Sequence, residues 1–208
     1  MKVRAVDNAG NLGAEAQSGN WTASAAGVSW VAAINNGLLL VSDDGLSWTE
    51  VDITGLVGST GNFNSIAYGQ GRWIATKDTL VVTSTDGTNW SAMDVTAGIP
   101  SGATKDGVYY SGEADRWMLG GSNYPQRYAA TSTDGTTWSA PSDLDSETDA
   151  DMAPDYFYYA RGTWAVARKA GRVAVSTDNG TNWAYKATVH SSNNGVGVHY
   201  ANGVWLKF

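Results

Sequence analysis

With 208 residues, 42% apolar and 16% charged, the chain can bury one packed core and is too apolar to remain disordered. A formal charge of −7 works against nucleic acid and anionic membrane surfaces, whose phosphates need cations to neutralise them. The absence of cysteine excludes disulfides and thiolate metal sites, while 25 glycines, 10 tryptophans and 10 tyrosines against 4 prolines point to short strands joined by tight turns.

The chain opens on Met1-Lys2-Val3-Arg4-Ala5-Val6-Asp7, which has no apolar stretch of the secretory kind, so no signal peptide is expected. No apolar run reaches the roughly 18 residues of a spanning helix. Asp7-Asn8-Ala9-Gly10-Asn11-Leu12 is a degenerate first copy of a pattern that recurs downstream. The full copies are Ser42-Asp43-Asp44-Gly45-Leu46-Ser47-Trp48, Ser84-Thr85-Asp86-Gly87-Thr88-Asn89-Trp90, Ser132-Thr133-Asp134-Gly135-Thr136-Thr137-Trp138 and Ser176-Thr177-Asp178-Asn179-Gly180-Thr181-Asn182-Trp183. Their tryptophans are 42, 48 and 45 residues apart. A second series, Trp30, Trp73, Trp117, Trp164 and Trp205, interleaves at spacings of 43, 44, 47 and 41.

Each period reads as four short strands. In the clearest, Ser65-Ile66-Ala67-Tyr68 is strand A, and a Gly69-Gln70-Gly71 turn follows. Arg72-Trp73-Ile74-Ala75-Thr76 is strand B, Leu80-Val81-Val82-Thr83-Ser84 strand C, and Trp90-Ser91-Ala92-Met93-Asp94-Val95 strand D. No sustained 3.6-residue pattern is present, so helix should be scarce. The expected fold is all-β: a single five-bladed β-propeller of four-stranded antiparallel blades over residues 1–208. Its repeats fall at about 19–53, 61–95, 103–144, 153–189, and 196–208 completed by 1–16. Because an open end would expose an apolar face, the N- and C-terminal segments should share the last blade. Regular spacing assigns both tryptophan series to the core between blades rather than to ligand stacking.

The Ser-x-Asp-(x)-Gly-x-x-Trp copies resemble the Asp-box, or bacterial neuraminidase repeat, of sialidases and other propellers. The fourth copy has the family spacing, and the other three are one residue shorter. The resemblance implies a structural turn away from the ligand face, so none of these aspartates is expected to be catalytic. Their chemistry suits that role: the carboxylate accepts from turn amides, glycine takes positive φ, and the aromatic packs beneath. The text Tyr68-Gly69-Gln70-Gly71-Arg72-Trp73 followed by Ser84 to Trp90 also looks like Asp-box propellers of bacteriophage tail and virion proteins. That likeness implies an exposed module on a virion or extracellular surface.

In propellers strand A lines the central channel. Strand A here ends in a recurring tyrosine, Tyr68, Tyr110, Tyr159 and Tyr200, and four residues earlier stand Asn64, Asp106, Asp155 and Val196. Asn64, Asp106 and Asp155 would therefore gather near one mouth of the channel. Two carboxylates and an amide suit Ca²⁺ or sugar hydroxyls, suit an acid/base pair for glycoside cleavage, or simply hydrate the channel. Two irregular segments are further candidates. Residues 120–128 read as a long insertion between strands B and C, in which Tyr124, Arg127 and Tyr128 could form a recognition patch. Residues 143–155 carry alternating acids without the glycine of an EF-hand loop.

Sialidase chemistry is not expected. The arginines Arg72, Arg116 and Arg161 sit at A–B turns, and the Arg-Ile-Pro signature is missing. His190 and His199 lack metal-ligand spacing, and no nucleophile elbow, phosphate loop or dinucleotide fingerprint occurs. No catalytic residue, resident metal or cofactor is expected. The chain reads as a non-catalytic binding module recognising a cell-surface glycan. The alternatives are a structural or decoration module that binds other protein subunits, and a small glycoside hydrolase.

Overall fold

The computed structural model describes residues 28–96, 98–123, 126–144, 156–167, 173–186 and 198–207. Among them the secondary structure is seventeen strands and one helical turn. The first sheet holds β1 (Trp30–Ala33), β2 (Leu38–Ser42) and β3 (Thr49–Asp52), and is followed by the single turn α1 (Thr54–Val57). The second holds β4 (Ser65–Gly69), β5 (Arg72–Lys77), β6 (Leu80–Ser84) and β7 (Ser91–Ala92). The third holds β8 (Thr104–Ser111), β9 (Arg116–Asn123), β10 (Gln126–Ser132) and β11 (Ser142–Asp143). The fourth holds β12 (Phe157–Ala160), β13 (Thr163–Ala167), β14 (Val173–Ser176) and β15 (Ala184–Lys186). The fifth is the pair β16 (Val198–Ala201) and β17 (Val204–Lys207).

Every sheet is a meander in which each strand pairs antiparallel with the next in sequence. Consecutive pairing needs only short turns, and several are two residues long. Gln70-Gly71, Arg161-Gly162 and Asn202-Gly203 each have both φ values positive, the conformation whose twist matches antiparallel strands. The A–B turn is thus Gln70-Gly71 alone, because Gly69 still pairs with Arg72 inside the sheet.

The sheets stack in chain order, and each junction has its own apolar core. Leu39, Ile53, Val57, Ala75 and Val82 fill the space between the first and second sheets. Ile74, Val81, Val108, Trp117, Leu119, Tyr128 and Trp138 fill that between the second and third. Met118, Ala129, Leu144, Phe157, Trp164, Val166 and Ala174 join the third to the fourth, and Ala165, Ala167 and Val198 the fourth to the fifth. Alternate residues of one strand therefore serve different junctions: Met118 packs forward and Trp117 and Leu119 backward. No sheet among the described residues closes on itself. The segments expected to close the last blade, 1–16, lie outside the described residues.

The repeated turn has one geometry in the first three copies and a lengthened form of it in the fourth. In the first, Ser42 Oγ donates to Asp44 Oδ1 (3.0 Å) and accepts from the Gly45 amide (2.8 Å). Asp44 Oδ1 accepts from the amides of Leu46 and Ser47, both at 2.7 Å. Ser84/Asp86 and Ser132/Asp134 repeat this pattern. The longer fourth copy keeps the bonds from Ser176 Oγ to Asp178 Oδ1 and from the Gly180 amide to Ser176 Oγ, and places Asn179 in the added position. There Asp178 Oδ1 accepts from the Asn182 amide (2.9 Å), and the Thr181 amide donates to the Asp178 main-chain carbonyl (3.4 Å). Two of the closing tryptophans tie back: Trp90 Nε1 donates to the Gly87 carbonyl (2.8 Å) and Trp183 Nε1 to that of Gly180 (3.1 Å). Bonds from the turn amides, and for Asp86 first the Asn89 side chain, stabilise the ionised carboxylates, holding Asp44 and Asp178 down at about 2 and Asp86 and Asp134 lower still.

The turns also weld one sheet to the next. A Cβ added at Gly135 would meet Ile74 Cδ1 at 3.2 Å, and one at Gly180 would meet Met118 Cε at 2.8 Å, each from the preceding sheet. Ser142 Oγ donates across the same junction to the Gly180 carbonyl (2.5 Å).

Candidate functional site: a tyrosine-lined cleft

The two aromatic series expected from the sequence turn out to be partners. Each strand-A tyrosine lies directly opposite the strand-B tryptophan: Tyr68 with Trp73, Tyr110 with Trp117, Tyr159 with Trp164 and Tyr200 with Trp205. Ring centroids are 4.6, 5.0, 5.0 and 5.2 Å apart. Such tilted contacts add to the area each ring buries.

Along the strand-A side Tyr68, Trp73 and Tyr110 border an open cleft of about 650 Å³. Its walls come from three consecutive sheets and the approach to a fourth: Val31 from the first, Ser65 to Tyr68 and Trp73 from the second, Val108 to Tyr110 from the third, and Tyr156 just ahead of the fourth. That volume lies in the range usual for small-molecule sites. Two of its tyrosines present large faces to solvent, Tyr68 at 50% exposure and Tyr156 at 56%.

The wall is held firmly. Tyr68 rests on Trp73. Tyr110 lies over Gly69 so closely that a Cβ there would overlap its ring. Its hydroxyl donates to Asp115 Oδ1 (2.6 Å), and Gln70 Nε2 donates to the same oxygen (2.8 Å). Gln70 Oε1 in turn accepts from Trp117 Nε1 (3.0 Å), which locks turn, tyrosine and tryptophan together. Burial first, then the bond to Asp115 and its charge, push the Tyr110 phenol up to about 12, while that bond helps hold Asp115 below the usual carboxylate range. Ser65 Oγ donates across the junction to the Val108 carbonyl (3.0 Å).

The described residues nominated from the sequence lie outside this cleft. Asn64 is exposed, and its Nδ2 donates to the Lys105 carbonyl (3.0 Å), which brings it beside Asp106. Asp106 stands at an irregularity of β8, where the register shifts between Lys105 and Gly107. There its carboxylate pairs with Arg127 Nη1 at 4.0 Å. Asp155, Tyr124 and the acids from 145 to 151 lie outside the described residues. Among the described residues no three of His, Cys, Asp and Glu gather as a metal site would require.

Of residues 120–128, the described ones belong to strands. Gly120–Asn123 continue β9 and Gln126–Tyr128 begin β10, paired rung by rung from Gln126 opposite Asn123. Nor is Tyr128 displayed on a patch: it is 4% exposed, and its hydroxyl donates to the Thr104 carbonyl (2.7 Å). Gly121 opens the slot, since a Cβ there would collide with that carbonyl and with the Tyr128 hydroxyl. Burial, with the Asp106 charge, pushes the Tyr128 phenol well above its ordinary value. Arg127 is partly buried against Asp106.

The cleft itself was not anticipated. Its sequence signal is the recurring tyrosine that ends strand A, of which Tyr68 and Tyr110 line the cleft.

Antiparallel meanders stacked in chain order make an all-β fold of the propeller kind. No protein-family profile and no curated protein sequence matches the chain. Its likenesses are to solved structures. "YCF48 bound to D1 peptide" superposes with a TM-score of 0.58 at 14% identity, over 83% of this chain and 55% of that one. "Crystal structure of Nidogen/Laminin Complex" gives 0.55 at 12%, over 84% and 68%. The computationally designed Ika8 protein gives 0.50 at 10%, over 86% and 54%. The chain thus spans about half the length of the YCF48 chain. At such identities the likeness speaks for the fold: this chain is propeller-like.

Proposed function

We propose that the chain is a non-catalytic binding module that recognises a cell-surface glycan, displayed on a virion or another extracellular assembly. The observation behind this reading is the open cleft lined by Tyr68, Tyr109, Tyr110, Tyr156 and Trp73. Half-exposed rings on a rigid wall suit the apolar faces of sugar rings, and the Ser65 and tyrosine oxygens suit their hydroxyls. Catalysis is disfavoured because glycoside cleavage needs two cooperating carboxylates. The one nominated acid among the described residues, Asp106, is paired with Arg127. In this reading the ring has five blades, the last made by 196–208 with 1–16, and the repeated turns are Asp-boxes. The placement on a virion rests on the resemblance of those repeats to phage propellers.

A glycan array probed with the labelled chain tests the reading. Retention on a subset of glycans is expected, and no retention on any of them overturns it. A second reading takes a protein as the partner. It is favoured by the printed names of two fold neighbours, one holding a D1 peptide and one a laminin complex.

A further inference from the structure

We infer that the tyrosine cleft is selective for uncharged sugars and rejects acidic ones, with Tyr68 backed by Trp73 as the stacking platform; this rests on the glycan reading above. Three observations lead there. First, none of the described residues lining the cleft carries a charge: they are Val, Ser, Ile, Ala, Tyr, Trp and Gly. An anionic sugar entering it would lose water without meeting a cation, which is costly. The whole-chain charge of −7 adds repulsion at long range.

Second, the polar atoms whose bonds are fixed in the wall have given their protons to the protein. Tyr110 donates to Asp115 and Ser65 to the Val108 carbonyl. The Tyr110 phenol also stays protonated at neutral pH, being pushed up to about 12. Neither group can turn its hydrogen toward a carboxylate or sulfate without breaking an existing bond. The charged group that this wall itself holds, Asp115, is negative. Such a wall favours a partner that brings its own donors, as neutral sugar hydroxyls do.

Third, the platform is made in advance. The Tyr68 ring sits 4.6 Å from Trp73 at a 46° tilt, yet half of the tyrosine remains open to solvent. A ring already fixed by its neighbour loses little freedom when a pyranose covers it.

The test is titration of the full chain with cellohexaose, maltohexaose and laminarihexaose, with hexagalacturonate as the acidic probe. Binding is read by tryptophan fluorescence and by saturation-transfer NMR. At least one neutral hexamer should bind, at least ten-fold more tightly than hexagalacturonate, and Tyr68→Ala should weaken it ten-fold or more. Tyr68→Phe should retain binding, and Trp73→Phe should remove most of the fluorescence change. Leu46→Ser, at a residue 86% exposed and outside the cleft, should change nothing. Circular dichroism checks that each variant is folded.

Equal or tighter binding of hexagalacturonate overturns the charge selectivity. Neutral binding indifferent to Tyr68→Ala overturns the location while leaving the glycan reading intact. A proline-rich peptide that binds through Tyr68, when no sugar does, overturns both. Failure of every neutral hexamer alongside a positive array overturns the selectivity alone.

Discussion

The inner sheets and the outer sheets use the same residue to different ends. On the strand-B position, Trp117 and Trp164 in the third and fourth sheets are 0% and 1% exposed, whereas Trp30 in the first and Trp205 in the last are 47% and 37% exposed. All four stand at one point of the repeat, and three are paired with the strand-A tyrosine. Local sequence sets where the indole points. Whether it is buried depends on the sheet stacked beside it. The difference between a core residue and a surface one is here a property of the junction, not of the strand.

The sharpest way to break this comparison is to remove the indoles. Trp117→Ala or Trp164→Ala leaves a cavity in a closed junction and should cost about 3–5 kcal/mol in urea unfolding. Trp30→Ala should cost about half as much or less, in proportion to the area it buries. Equal losses would mean that burial of the indole does not set its worth.

Glycine substitutions separate backbone cost from junction cost. Gly180 has φ +85° and faces Met118 Cε and Thr131 Cγ2, each at 2.8 Å from a built Cβ, while Gly162 has φ +77° and open space around it. Gly162→Ala should lower stability by about 1 kcal/mol through the left-handed backbone alone. Gly180→Ala should lose a further ~1–3 kcal/mol as the third sheet is pushed away. Similar losses at the two sites, measured by thermal unfolding, would show that the turn does not weld the sheets.

Acid should act on inner and outer turns alike, because their bonds are internal to each turn. The carboxylates of Asp44 and Asp178 sit at about 2, below the usual value near 3.8. A depressed acid stabilises the fold above its unfolded pKa and loses that contribution as pH falls through the folded one. The melting temperature should therefore be insensitive to these groups above about pH 5 and should fall between about pH 4 and 2. Replacing any of the four aspartates by asparagine should shrink that fall; an unchanged profile would rule the turns out as its source.

The smallest expected effect is at Lys105, an inner-sheet lysine that is buried and donates from Nζ to the Ala103 carbonyl (2.7 Å). Burial lowers its pKa below 10.5, so the unfolded chain binds the proton more tightly than the folded one. Stability should then rise with pH across the window from the folded pKa up to 10.5. Lys105→Met should change neutral-pH stability by no more than about 1 kcal/mol and flatten that alkaline rise. A large loss would mean that the ammonium is a necessary strut.

Much of the fold was legible because its determinants are local. The hairpins are written in dipeptides such as Arg161-Gly162 and Asn202-Gly203, and the repeated turn needs only a serine, an aspartate and a glycine within five or six residues. The candidate site was less legible. Asp106 reads as an exposed acid until Arg127, 21 positions away, is seen beside it. Tyr128 reads as part of a loop until Gly121 and Thr104 are seen to make room for its ring and accept from its hydroxyl.

By itself the sequence determined the strand order, the antiparallel meanders, the aspartate turns and the rhythm of tyrosine and tryptophan, since each depends on residues only a few positions apart. Tertiary structure alone decided which indoles are buried, which acid is paired, and that rings from the second and third sheets and Tyr156 border a common cleft. Those outcomes depend on distances between segments about 20 to 40 residues apart, as between Asp106 and Arg127 or between Tyr68 and Tyr110. Only the stacking of whole sheets sets such distances, because a strand's own alternation fixes the direction of a side chain and not what it meets.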